Sequence, residues 1–178
     1  MSFLTAAQTP RVVLDSNVWI DILVFDDPHA RPIAAALAQG GIEAVIDARC
    51  LAELTRVLDY PQFARFALDK EAALAQIARW TTMIAPAQDT PAGEVAPRAL
   101  PQCRDRDDQK FLELARRAGA AWLVSKDREL LRMAKRIARD FGFSIGLPAA
   151  FTAQLSARLS AQPAAKLPAS LAAATPAP

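Results

Sequence analysis

Five acidic side chains stand where their type and spacing could do chemistry. Asp15 ends the apolar run RVVL, and Asp127 follows the apolar run AWLV by three residues. Glu53 lies inside LAELTRVL, while Asp105 and Asp108 fall in CRDRDDQKF. No other residue type competes as the reactive group. The one histidine, His29, sits in DDPHARP and reads as a surface residue at a turn, so paired-imidazole cleavage and a His-rich zinc site are both excluded. Cys50 and Cys103 have no neighbours at metal-ligand spacing and read as reduced, buried or half-buried thiols. Hydrolysis by this chain must therefore run on carboxylates. Converging carboxylates suit hard divalent cations, Mg2+ or Mn2+, which take oxygen ligands. Such ions neutralise a phosphodiester, lower the pKa of a water and stabilise a departing oxygen. Without a cation the same cluster repels itself and raises some of its own pKa values.

Each acid also has a plain structural reading. Asp15 can cap the helix at NVWID, and Asp127 can cap the one at RELL. Glu53 has Arg49 four residues before it and Arg56 three after, the spacing of an ordinary helix-surface ion pair. Asp105 and Asp108 form a D-x-x-D that looks like a helix cap with an acidic third residue, and Asp107 and Asp108 suit the helix dipole in any case. No single acid decides the matter; their joint placement does.

That placement depends on the elements around them. RVVL, IEAVI, MIAPA, AWLVS and FSIG read as short strands, most of them continuous apolar runs of the buried parallel kind. Between them lie helices over NVWIDILV, HARPIAAALAQGG, ARCLAELTRVLDY (capped by Asp47), DKEAALAQIARWTTM, DDQKFLELARRAGA and RELLRMAKRIARDFG, with a short one at PQFARFAL. Two of these carry clear stripes: Leu51, Leu54, Val57 and Leu58, then Phe111, Leu112, Leu114, Ala115 and Ala118. DTPAGEVAPRALPQC, with three prolines and a glycine, reads as a loop. Alternating strands and helices imply an open α/β fold with a parallel sheet, whose ligands bind beyond the carboxyl ends of the strands. Asp15 and Asp127 stand at two such ends. Glu53 lies beside its helix stripe, and Asp108 lies on the core-facing side of a first helical turn.

The chain's 178 residues suit one domain with tails: a flexible lead-in over 1–10, a folded domain over 11–151, and an Ala/Pro-rich stretch over 152–178 that starts with one helical turn and is then disordered. No apolar run approaches the roughly 20 residues of a membrane span, and the first residues lack a secretory pattern, so a cytoplasmic protein without a membrane partner is expected. Net charge is only +2, yet Arg104 to Arg139 holds eleven cations against six acids. This asymmetry suits a polyanion, although a solvated helix face at Arg132, Lys135, Arg136 and Arg139 is the plainer reading.

The segments named so far resemble a known family. VVLDSNVWID resembles the opening of PIN domains, LAELTRVL their helix with the second acid, and CRDRDDQKFLELA with AWLVSKDRELL their third and fourth acids. The resemblance runs from about Arg11 to Phe151 and is strongest to the bacterial branch that supplies toxins of toxin–antitoxin pairs. It implies a PIN-like three-layer α/β/α sandwich with a central parallel sheet, and a Mg2+- or Mn2+-dependent endoribonuclease. It further implies an RNA substrate, a small antitoxin as partner and a homodimer. Asp15, Glu53, Asp108 and Asp127 match the family's catalytic acids, and with Asp105 they form the implied metal-holding set. Ser16, Asn17 and Ser125 match supporting positions, and Arg104, Arg106 and Lys126 are candidates to hold the RNA backbone. SKD replaces the more usual T-G-D, which puts Lys126 beside the fourth acid; it can weaken metal binding or contact a phosphate.

Three rivals are weaker. An aspartyl-phosphate transferase wants D-x-D after its strand, and the third position here is Asn17. A nuclease of DNA or structured flaps needs additional helices to grip a junction, for which this chain is short. A PIN fold that binds RNA or a partner without cutting is argued against by the full acid set, though Lys126 leaves it open.

Overall fold

The computed structural model describes residues 9–86 and 98–161, with side chains described as far as Arg158. The expected lead-in and tail fall outside these residues except for Thr9, Pro10 and 152–161, and so does most of the proline-rich loop.

Strand β1 (Arg11–Leu14) shows why the sheet must be central. Val12, Val13 and Leu14 are consecutive, hence point to alternate faces, and all are buried. Both faces are therefore covered, and the same holds for Ala44, Val45 and Ile46 of β2 (Glu43–Ile46). With β3 (Thr81–Met83), β4 (Trp122–Val124) and β5 (Ser144–Gly146) they form one all-parallel sheet in the order β3-β2-β1-β4-β5. Val12 pairs with Ala44 on one side and with Trp122 on the other. The chain thus builds outward from β1 through β2 to β3, then returns to place β4 on the opposite side of β1. This reversal is a topological switch point, with a crevice at the carboxyl ends of β1 and β4.

Helices α1 (Ser16–Ile20), α2 (Arg31–Ala38), α3 (Ala48–Leu58), α4 (Lys70–Trp80), α5 (Gln109–Arg117), α6 (Arg128–Phe141) and α7 (Pro148–Ala161) flank the sheet. A turn of π-helix over Asp21–Phe25 extends α1, and a 3-10 helix covers Pro61–Phe66. The stripe Phe111, Leu112, Leu114, Ala115 and Ala118 is fully buried, and it packs α5 on β1 and β4 and against α3. Helix α7 packs on β4 and against α2. Asp47 caps α3 as expected, accepting the Cys50 N–H at 2.9 Å. Gly142 closes α6 with φ +78°, the left-handed turn that glycine adopts freely.

Three elements differ from the sequence expectation. The helix expected over NVWIDILV starts at Ser16 and widens into the π turn at Asp21. The helix expected through Met83 stops at Trp80, and the third strand is Thr81–Met83 rather than MIAPA. The β-branched Thr81 and Thr82 extend at once to pair with Ala44 and Val45, with no turn between helix and strand. Helix α7 runs for 14 residues through the expected boundary at 151/152, anchored by buried Phe151 and Leu155. Among the described residues, no helix is long and apolar enough to cross a membrane.

Candidate active site

The switch point is held shut by one hydroxyl. The Asp15 N–H donates to the Val124 carbonyl at 3.0 Å, which joins the ends of β1 and β4. Ser125, fully buried, donates its hydroxyl to Asp15 Oδ2 at 2.6 Å and accepts the Asp127 N–H at 2.9 Å. Asp15 is itself buried at the start of α1, and its Oδ1 takes a long 3.4 Å bond from the Asn17 N–H, while the Asn17 residue is exposed. Asp127 caps α6 through Oδ1, accepting from the Glu129 N–H at 2.7 Å and the Leu130 N–H at 3.2 Å. Capping and a place in the acid cluster are thus compatible for both aspartates.

Asp108 behaves differently. It occupies the cap position of α5 itself, where the D-x-x-D reading puts Asp105, but makes no side-chain capping bond, so its carboxylate is left available. The loop ahead of it is pinned elsewhere: Asp105 Oδ1 accepts the Asp107 N–H at 2.9 Å, and Gln109 Oε1 accepts the Cys103 N–H at 2.7 Å. Glu53 arrives from α3 and is half-buried. Its Oε1 accepts the hydroxyl of buried Ser16 at 2.9 Å, and its Oε2 pairs with the Lys110 ammonium. The plain alternative for Glu53, an ion pair with Arg49 or Arg56 on its own helix, does not form: Arg49 pairs with Asp47 and Glu113 instead.

Electrostatics shows which carboxylates face one another. Burial first, then the charges of Asp15, Asp127 and Asp105, push Asp108 up to about 7, with Lys110 opposing. Burial also pushes Asp15 up; the Ser125 hydroxyl and Asn17 N–H pull it back, and Glu53 and Asp127 add to the rise. No cation of the chain pairs with Asp15, Asp108 or Asp127 among the described residues. The sequence thus brings three acids into one repelling group, with Asp105 beside Asp108 and Glu53 tied in through Ser16.

An oxygen-rich, anionic and uncompensated donor set fits a hard divalent ion. The side chains do not close into a chelate of three or more acidic, His or Cys groups among the described residues. Like charges facing one another stay apart, and Asp15, Asp127 and Glu53 are each held by hydrogen bonds from the protein. Mg2+ keeps several waters and needs only a few carboxylates, so a pre-closed cage is not required.

A sequence profile of the PIN domain matches residues 11–129, from β1 to the start of α6, and spans all five acids. The chain belongs to the PIN-domain family. No curated protein matches it. PIN domains are generally nucleases that use divalent metal ions, and in this PIN domain Asp15 follows the carboxyl end of β1 and Asp127 that of β4, at the switch point.

Two participants escaped the sequence reading. Lys110 was not singled out, although it lies two residues after Asp108; nothing in its spacing links it to Glu53. Asp21, six residues after Asp15, is buried and accepts Lys126 Nζ at 2.7 Å on Oδ1 and 2.5 Å on Oδ2. The lysine beside the fourth acid therefore directs its charge to Asp21 and not to the cluster. Arg104 and Arg106 are exposed and have no ion pair among the described residues. His29 is exposed, and Cys50 and Cys103 are buried free thiols that burial keeps protonated.

Proposed function

We propose that this PIN domain is a divalent-metal-dependent endoribonuclease, using Mg2+ or Mn2+, and the toxin of a toxin–antitoxin pair. The carrying observation is that Asp15, Asp108 and Asp127 face one another at the switch point and form no ion pair with a cation among the described residues. Asp15, Asp108 and Asp127, with Glu53 and Asp105, would hold the ion. When bound, it supplies neutralisation of the phosphodiester and acidification of the attacking water. Ser125 fixes Asp15 and Asp127 relative to each other, and Ser16 orients Glu53. Asp108 holds a proton near neutral pH until a cation takes its place. The family resemblance implies that cleavage by water would leave a 5′ phosphate and a 3′ hydroxyl. Arg104 and Arg106, exposed and unpaired, are suited to the RNA backbone. The Lys126–Asp21 pair removes the charge argument for a non-catalytic binding protein.

The test is cleavage of single-stranded RNA by the purified chain with Mg2+ or Mn2+. Cutting is expected to stop with EDTA, and to fall by about 100-fold or more in Asp15→Asn, or ~2.7 kcal/mol of transition-state stabilisation. Equal cutting by Asp15→Asn would sink the mechanism. The toxin role predicts that expression arrests growth, that Asp15→Asn does not, and that a small protein encoded beside the gene relieves the arrest. A homodimer is part of the same proposal, and sedimentation of the purified chain tests it.

A further inference from the structure

A second feature adjoins the acid cluster. An open cavity of about 400 Å³ is lined by Arg49, Ala52, Glu53, Arg56, Asp107 and Lys110. Three of its walls are cationic and two acidic. Two of those cations are already engaged: Arg49 with Asp47 and Glu113, and Lys110 with Glu53. Arg56 is exposed and has no ion pair among the described residues. Its place in the last turn of α3 is favoured by the helix dipole. That term accounts for a cation at the helix end, but not for Arg49 and Lys110 meeting it around one cavity. Ala52, the small residue on the same wall, keeps the space open.

Glu53 belongs to both places. It lines the cavity and accepts the hydroxyl of Ser16, the residue next to Asp15. A strand whose reacting phosphate lies at the acids can run on past Glu53 into the cavity that Arg56 lines. We infer that this cavity is a phosphate subsite for the RNA backbone, with Arg56 as its free guanidinium and the paired Arg49 and Lys110 flanking it. The inference rests on the nuclease reading and adds the path of the strand, along α3 and α5 beside Glu53. A guanidinium matches a phosphate's oxygens in two-point geometry, which an ammonium cannot do as well.

Binding can be read without cleavage in the Asp15→Asn protein, with fluorescence anisotropy of a labelled, mixed-sequence single-stranded RNA. Adding Arg56→Ala is expected to weaken the Kd by about tenfold, equivalent to ~1.4 kcal/mol. It should also flatten the dependence of log K on log salt by roughly 0.7, the loss of one phosphate contact on a single strand. Arg56→Lys should recover part of the affinity. Arg132→Ala, which removes an exposed cation on α6, should change the Kd by no more than about twofold. An unchanged Kd and salt slope in Arg56→Ala would overturn the subsite while leaving the nuclease reading intact. A chain that neither binds nor cuts RNA would overturn both.

Discussion

Ser125 has one hydroxyl and uses it twice, donating to Asp15 and accepting from the Asp127 backbone. Its removal therefore affects two acids at once. Ser125→Ala leaves the half-buried Asp127 N–H without its partner and takes from Asp15 a bond that stabilises its charged form. The expected outcome is a loss of about 1–3 kcal/mol in unfolding free energy, measured by urea denaturation, together with weaker divalent-ion binding. Ser125→Thr keeps the hydroxyl and should retain ion binding better than the alanine variant. Equal ion affinity in serine and alanine proteins would show that Asp15 does not need this bond.

At the scale of elements, β5 is tuned by one glycine. A Cβ at Gly146 would stand 2.9 Å from Trp122 Cζ3, and Trp122 in turn packs against Phe151 of α7 with ring centroids 5.4 Å apart. Gly146→Ala must displace that ring and is expected to cost about 1–3 kcal/mol by overpacking, seen as a lower thermal midpoint. An unchanged midpoint would mean that the ring moves freely. The same scale explains what could be read from the sequence. Strands β1, β2 and β4 are legible because burial on both faces makes them unbroken apolar runs. Strand β3 is not, because its middle Thr82 is polar, Met83 is exposed, and the helix before it runs on without a turn residue. The acids at strand ends followed from topology, and the capping of α3 by Asp47 from local chemistry. The partner of Glu53 could not be read in this way. Its helix neighbours satisfy the i±3 and i±4 rule, but a lysine from α5 takes the carboxylate once the helices pack.

For the whole molecule, the crowded acids are a stability cost that pH reveals. Asp108 is raised from 3.8 to about 7, so between those values the folded chain keeps a proton that the unfolded chain has lost. Stability of the metal-free protein must therefore fall as pH rises through that window. Because Asp108 is partly exposed, solvent screening reduces the effect to about 1 kcal/mol. Asp47 works in the opposite sense at lower pH. Burial alone would raise it, but the Cys50 N–H, Arg117 and Arg49 bring it down to about 2, and its contribution is lost only as pH falls below 3.8. The expected results are a gain of roughly 2–4 °C in thermal midpoint at pH 8 for metal-free Asp108→Asn, and a larger Mg2+-induced rise for the unsubstituted protein at pH 8 than at pH 5. Equal Mg2+ shifts at both pH values would contradict the shared-cation picture.

The bond from Ser125 to Asp15 joins positions 110 residues apart. During synthesis, β1 leaves the ribosome early but finds its second neighbour only after β4 has emerged. Until then Asp15 lacks both the Ser125 hydroxyl and the facing charge of Asp127. A nascent chain without β4 therefore has Asp15 but neither the hydroxyl nor the second acid that belong beside it, and the acid group becomes whole only after residue 127 has emerged.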